Sequence, residues 1–113
     1  MKKISLYNKK NKEDLLKDLN KENFNRLTIS FYKYIKLKNL DMLRDKLYIE
    51  WSYLNVLGRI YIANEGINAQ LSIPEHNYNL FMKNLSSREE FNKINIKDAI
   101  EEGKSFYKLS IKI

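Results

Sequence analysis

The chain has 113 residues, 43% of them hydrophobic, which suits one domain with its own core. Cysteine is absent, which excludes disulfides, thiolate metal sites and cysteine nucleophiles, and no apolar run approaches the roughly 20 residues of a membrane span. The net charge of +7 points to a polyanion partner, most simply a nucleic acid, although Lys, Asn and Ile all have A/T-rich codons and drift toward them would give the same profile.

The first 12 residues carry five lysines and no acid and read as a basic arm; the start, MKKISLYNKKNKEDLL, lacks the apolar stretch of a secretory signal, so a cytoplasmic protein is expected. Glu13 to Phe24 suits a short helix with Leu15, Leu16 and Leu19 on its apolar side and Asn11 as N-cap. Residues 1–25 thus form an arm and a helix, and 26–113 the main domain. Arg26 to Tyr34 alternates as a strand, with Leu27, Ile29 and Phe31 opposite Thr28, Ser30, Tyr32 and Tyr34. Asn39 to Asn55 has Leu40, Leu43, Leu47, Trp51 and Leu54 at helical spacing, with Asn39 as a cap and Gly58 just past its end.

GRIYIANEGINAQLSI, residues 58–73, reads as a hairpin. Ile60 and Ile62 share a side in its first strand, and Ile67, Ala69, Leu71 and Ile73 in its second. Asn64-Glu65-Gly66 suits a three-residue connection closed by a left-handed Gly. Pro74 opens a second helix, with Tyr78, Phe81, Met82 and Leu85 as its stripe, ending or kinking at Ser86-Ser87. Phe91 to Lys97 offers a short edge strand around Ile94 and Ile96, Ala99 to Ser105 a loop turning at Gly103, and Phe106 to Ile113 the last strand, with Tyr107, Leu109, Ile111 and Ile113 opposite Phe106, Lys108, Ser110 and Lys112. The order β-α-β-β-α-β, with one apolar stripe per helix and one apolar face per strand, predicts an α+β, ferredoxin-like two-layer sandwich: an antiparallel sheet with two helices on one face, plus the short N-terminal helix.

The other sheet face is the informative surface. Alternation places Tyr32, Arg59, Tyr61, Asn68, Phe106, Lys108 and Lys112 on it, among Thr28, Ser30, Gln70, Ser72 and Ser110. Rings among cations and amides can stack bases and hold phosphates, as RNA-binding sheets do. The same face would also suit docking of another domain, or plain solvation. Enzymatic groupings are poor: His76 is the sole histidine and there is no cysteine, so neither a metal site nor a catalytic set is expected, and no cofactor. An acylphosphatase would cradle phosphate in a Gly-rich loop after the first strand. Lys33 to Lys38 holds no Gly, which argues against that activity.

The runs SFYKY (30–34), NVLGRIYIANEGINAQ (55–70) and GKSF (103–106) resemble the N-terminal domain of the rhodanese-related tRNA uridine(34) hydroxylases, over nearly all of the chain beyond about Leu27. The resemblance implies oxygen-dependent conversion of the tRNA wobble uridine to 5-hydroxyuridine. It also implies a following rhodanese-like domain with the catalytic cysteine. Neither that domain nor any cysteine is in these residues, so a domain of a longer protein or a truncated gene product is expected, inactive alone, that contacts tRNA or braces the catalytic domain. The alternative is a non-enzymatic interaction module that docks a protein through its open sheet face.

Overall fold

The computed structural model describes residues 11–102 and 106–113, the stretch 97–102 by its backbone. Its elements are α1 (Lys12–Asn20), β1 (Arg26–Tyr34), α2 (Leu40–Tyr53), β2 (Leu57–Ala63), β3 (Gly66–Pro74), α3 (Tyr78–Ser87), β4 (Lys97–Glu102) and β5 (Leu109–Lys112). Short 3₁₀ turns stand at Glu75–Asn77 and Glu89–Phe91. The sheet order is β4-β1-β3-β2-β5. The first four strands pair antiparallel and the fifth runs parallel to β2.

This is the expected ferredoxin-like sandwich, with its fourth strand in a different place. The closing strand beside β1 is Lys97–Glu102, where a loop was expected, and the C-terminal segment is a fifth strand on the opposite edge. The physical reason lies in the sequence KDAIEE. An edge strand is protected from further pairing by charge, and that same charge erases the alternation by which strands are recognised. Residues 92–96 are irregular, and Ile94 and Ile96 pack as partly buried side chains against the core. The expected turn at Gly103 falls outside the described residues.

The core lies between the helices and one sheet face. Ile29, Phe31, Ile60, Ile62, Ala69 and Leu71 meet Leu43, Leu47 and Trp51 of α2 and Phe81 and Leu85 of α3. Trp51 packs on Phe81 with ring centroids 5.0 Å apart. Its indole N–H donates to Asn84 Oδ1 at 2.7 Å, Asn84 Nδ2 donates to Glu50 Oε1 at 2.7 Å, and Arg88 Nη2 donates to Glu50 Oε2 at 2.7 Å. This chain fixes the helices against each other. Asn84→Ala leaves a buried indole donor unpaired, so a loss of about 1–3 kcal/mol in urea denaturation is expected. An unchanged midpoint would show that the network adds nothing to stability.

Several local expectations are met and several are corrected. Asn11 caps α1, its Oδ1 accepting from the Asp14 N–H at 2.8 Å, but the helix ends at Asn20 and Phe24 lies beyond it. Asn39 makes no side-chain cap; it adopts φ 52°, a left-handed conformation that Asn tolerates better than most residues. Pro74 ends β3 and does not open α3. It sits opposite Arg26, and the 3₁₀ turn follows directly.

The hairpin connection is two residues, Asn64-Glu65, with Ala63 paired to Gly66. Gly66 therefore belongs to the strand, at φ 157°, and a Cβ there would come 2.1 Å from the Lys33 carbonyl oxygen. The same demand holds at Gly58, φ 140°, where a Cβ would fall 2.2 Å from the Gln70 carbonyl oxygen. Glycine is needed at both places for close approach of neighbouring backbones.

Candidate nucleic-acid interface

Pairing register sets the rows of the open face. Thr28 stands beside Ser72, and Ser72 beside Leu57. The next row is Ser30, Gln70, Arg59 and Ser110, and the one after it Tyr32, Asn68, Tyr61 and Lys112. Side chains alternate across a strand, so each row lies on one face.

The first row is closed. Ser72 is fully buried and Arg26 is 1% exposed, although alternation places both on the open side. Arg26 Nε and Nη2 donate to the two Glu22 carboxylate oxygens at 2.8 and 2.6 Å, and Nη1 donates to the carbonyls of Asn55 and Ser72 at 3.0 and 3.1 Å. Its guanidinium also lies over the Phe24 ring. Leu15 and Leu19 of α1 share a cleft with Leu57, Asn55 and Tyr107, so α1 closes this end of the sheet. Tyr48, half-buried in the same cleft, has its phenol pushed up from the ordinary value by burial, an effect its bond with Ser52 opposes.

The other rows are open. Tyr32 is 60% exposed and Tyr61 47%. Two grooves meet at Tyr61. The first, about 250 Å³, is lined by Arg59, Tyr61, Phe106, Lys108, Ser110 and Lys112, with no carboxylate among the described residues of its walls. Among the described residues, Arg59, Lys108 and Lys112 enter no ion pair. The second groove, about 520 Å³, holds Tyr32, Tyr34, Tyr61, Asn68, Glu65 and Ile113. Of the seven residues expected on this face, five therefore line the cationic groove. Tyr32 and Asn68 line the other, together with Tyr61.

Phe106 reaches its groove from outside any strand. β5 begins at Leu109, and the chain bends at Tyr107 and Lys108 before it. The bend breaks the alternation. Tyr107, expected on the apolar side, lines the cationic groove, and the Lys12 and Lys108 ammonium groups stand 5.6 and 5.9 Å from its ring centroid. Ile113, also expected on the apolar side, is 55% exposed, since it lies past the end of β5. Nothing in the local pattern signals either placement.

His76 stands edge-to-face on Phe24 with centroids 5.0 Å apart, and no group of three or more His, Cys, Asp or Glu suited to a metal occurs among the described residues. The loop after β1 is tied to the hairpin tip. The Ile35 and Leu37 N–H groups donate to the Glu65 and Asn64 carbonyls at 2.9 and 3.0 Å, and Asn64 Nδ2 donates to the Leu37 carbonyl at 3.1 Å. Those two amides are thereby committed and cannot line an anion cradle. No helix among the described residues is long and apolar enough to cross a membrane.

These features define the class: a ferredoxin-like α+β domain with an open mixed face and a loop after its first strand that is bound to its own hairpin. The chain belongs to the family described as the UPF0176 acylphosphatase-like domain, whose model matches residues 26–113. It is 58% identical over 113 residues to a tRNA uridine(34) hydroxylase of Leptospira interrogans, covering 99% of this chain and 31% of that protein. Proteins of the same name from Hamiltonella defensa and Buchnera aphidicola are each 43% identical, over 96% of this chain and 31% and 34% of their own lengths. The chain spans about a third of the length of these curated relatives.

Proposed function

We propose that this chain is the N-terminal domain of a tRNA uridine(34) hydroxylase, and that it supplies tRNA contact without supplying the chemistry. The observation that carries the reading is the cationic groove, which Arg59, Lys108 and Lys112 line together with Tyr61 and Phe106, with no carboxylate among the described lining residues. Unpaired cations gain counterion-release energy on a phosphate backbone, and exposed rings offer stacking faces. The protein works in the cytoplasm, where tRNA is.

A second reading is favoured by the neighbouring groove. Tyr32, Tyr34 and Ile113 are exposed apolar or aromatic groups that suit docking of the rhodanese-like domain expected in the longer relatives.

Filter binding of the chain to tRNA across a salt series tests the first reading. Affinity should fall steeply with salt, and Lys108→Gln and Lys112→Gln should each weaken binding and flatten the dependence. Absence of binding at low salt, or unchanged binding in both variants, leaves docking as the better account.

A further inference from the structure

We infer that the groove between β2 and the 106–112 segment is a subsite for single-stranded RNA, taking an unpaired base between its rings and the flanking phosphodiesters on its cations. The inference rests on the tRNA-contact reading above and says which form of the RNA this site takes.

The first argument is shape. The site is a concave groove of about 250 Å³, the scale of one base and not of a helix. A duplex presents a convex phosphate surface and hides the faces of its bases. Rings set into a groove reach only a base that has left its stack.

The second argument is the placement of the chemistry. Tyr61 stands on β2 directly beside Lys112 of β5, and Arg59 beside Ser110. Adjacent strands lie about 4.8 Å apart, so ring and ammonium share one wall. Lys108 is anchored by its own backbone, its carbonyl accepting from the Gly58 N–H at 2.9 Å. Cations thus stand toward both ends of the groove, Lys108 and Arg59 near Gly58 and Lys112 beside Tyr61, and Phe106 lines the same groove. A backbone held at two points with a base turned inward fits that order.

The third argument is rigidity. β2 is paired on both sides, to β3 and to β5, and its Gly58 is held close against the Gln70–Leu71 backbone. The floor of the site is therefore formed before ligand arrives, which lowers the ordering cost of binding.

The test uses the chain as it is. Fluorescence anisotropy would compare a labelled 12-nucleotide single-stranded RNA with the same sequence as a blunt duplex, at fixed salt. Single strand is expected to bind at least tenfold tighter. Phe106→Leu, which keeps apolar bulk and removes the ring, should weaken the single strand by tenfold or more and leave duplex binding unchanged; Tyr61→Leu should do the same. Tyr53→Ala, on the exposed side of α2, serves as the control and should change neither. Circular dichroism of each variant establishes that the fold persists. Equal affinity for duplex and single strand, or ring variants that bind both as well as the parent, would overturn the subsite while leaving tRNA contact in place. No binding to either RNA would overturn both.

Discussion

Replacing Arg26 by Ala is expected to lower the free energy of unfolding by about 3–5 kcal/mol, because it breaks a buried ion pair and leaves its partner behind. Arg26 is 1% exposed, and Glu22 opposite it 12%. The guanidinium makes two bonds to that carboxylate and one each to the Asn55 and Ser72 carbonyls. It thereby joins the segment after α1, the end of α2 and the middle strand β3. Loss of the cation leaves a largely buried carboxylate and two carbonyls short of a donor. For a domain whose whole stability is about 5–15 kcal/mol, that is a large share. Arg26→Lys should recover little, since an ammonium cannot reproduce the bidentate fork. Arg26→Met combined with Glu22→Gln should be milder than Arg26→Ala, since it removes both charges together. Urea denaturation followed by Trp51 fluorescence measures all three. A loss below about 1 kcal/mol for Arg26→Ala, the range of exposed pairs, would mean that solvent already relaxes the site.

Expressed in a host that lacks its own enzyme, the 113 residues are expected to yield no 5-hydroxyuridine in tRNA. Oxidation at a pyrimidine C5 needs a redox cofactor or a nucleophile that forms a covalent adduct and leaves again. The chain has no cysteine, and its single histidine packs edge-to-face on Phe24 and lines neither groove of the open face. Mass spectrometry of nucleosides from digested tRNA decides the matter. Restored 5-hydroxyuridine would place the chemistry within these residues, and Glu65, Asn68 and Arg59 would be the first to change. Glu65 and Asn68 line one groove and Arg59 the adjoining one.

Much of the candidate site was legible because strands alternate strictly. Register places Tyr32, Asn68, Tyr61 and Lys112 in one row, which is where period-2 reading puts them. The reading failed where the chain leaves regular pairing. Tyr107, expected on the apolar side, enters the groove from a bend, and Ser72 is buried although its parity is that of the open side. The second failure has a long-range cause. Arg26 and α1 close that end of the sheet, and no pattern within β3 records a helix some fifty residues earlier in the chain.

The sequence by itself determined the central elements: two helices with one apolar stripe each, β1, and the hairpin of β2 and β3. Their periods are local properties, set by how side chains leave a helix or a strand. It also determined the chemical poverty of the chain, since residue types need no fold to be counted. Only the tertiary structure decided which segment takes which edge. KDAIEE pairs beside β1, and the more apolar C-terminal strand runs parallel to β2. Edge position depends on where each segment can reach and which free backbone donors and acceptors it finds there, and side-chain periodicity carries no record of either.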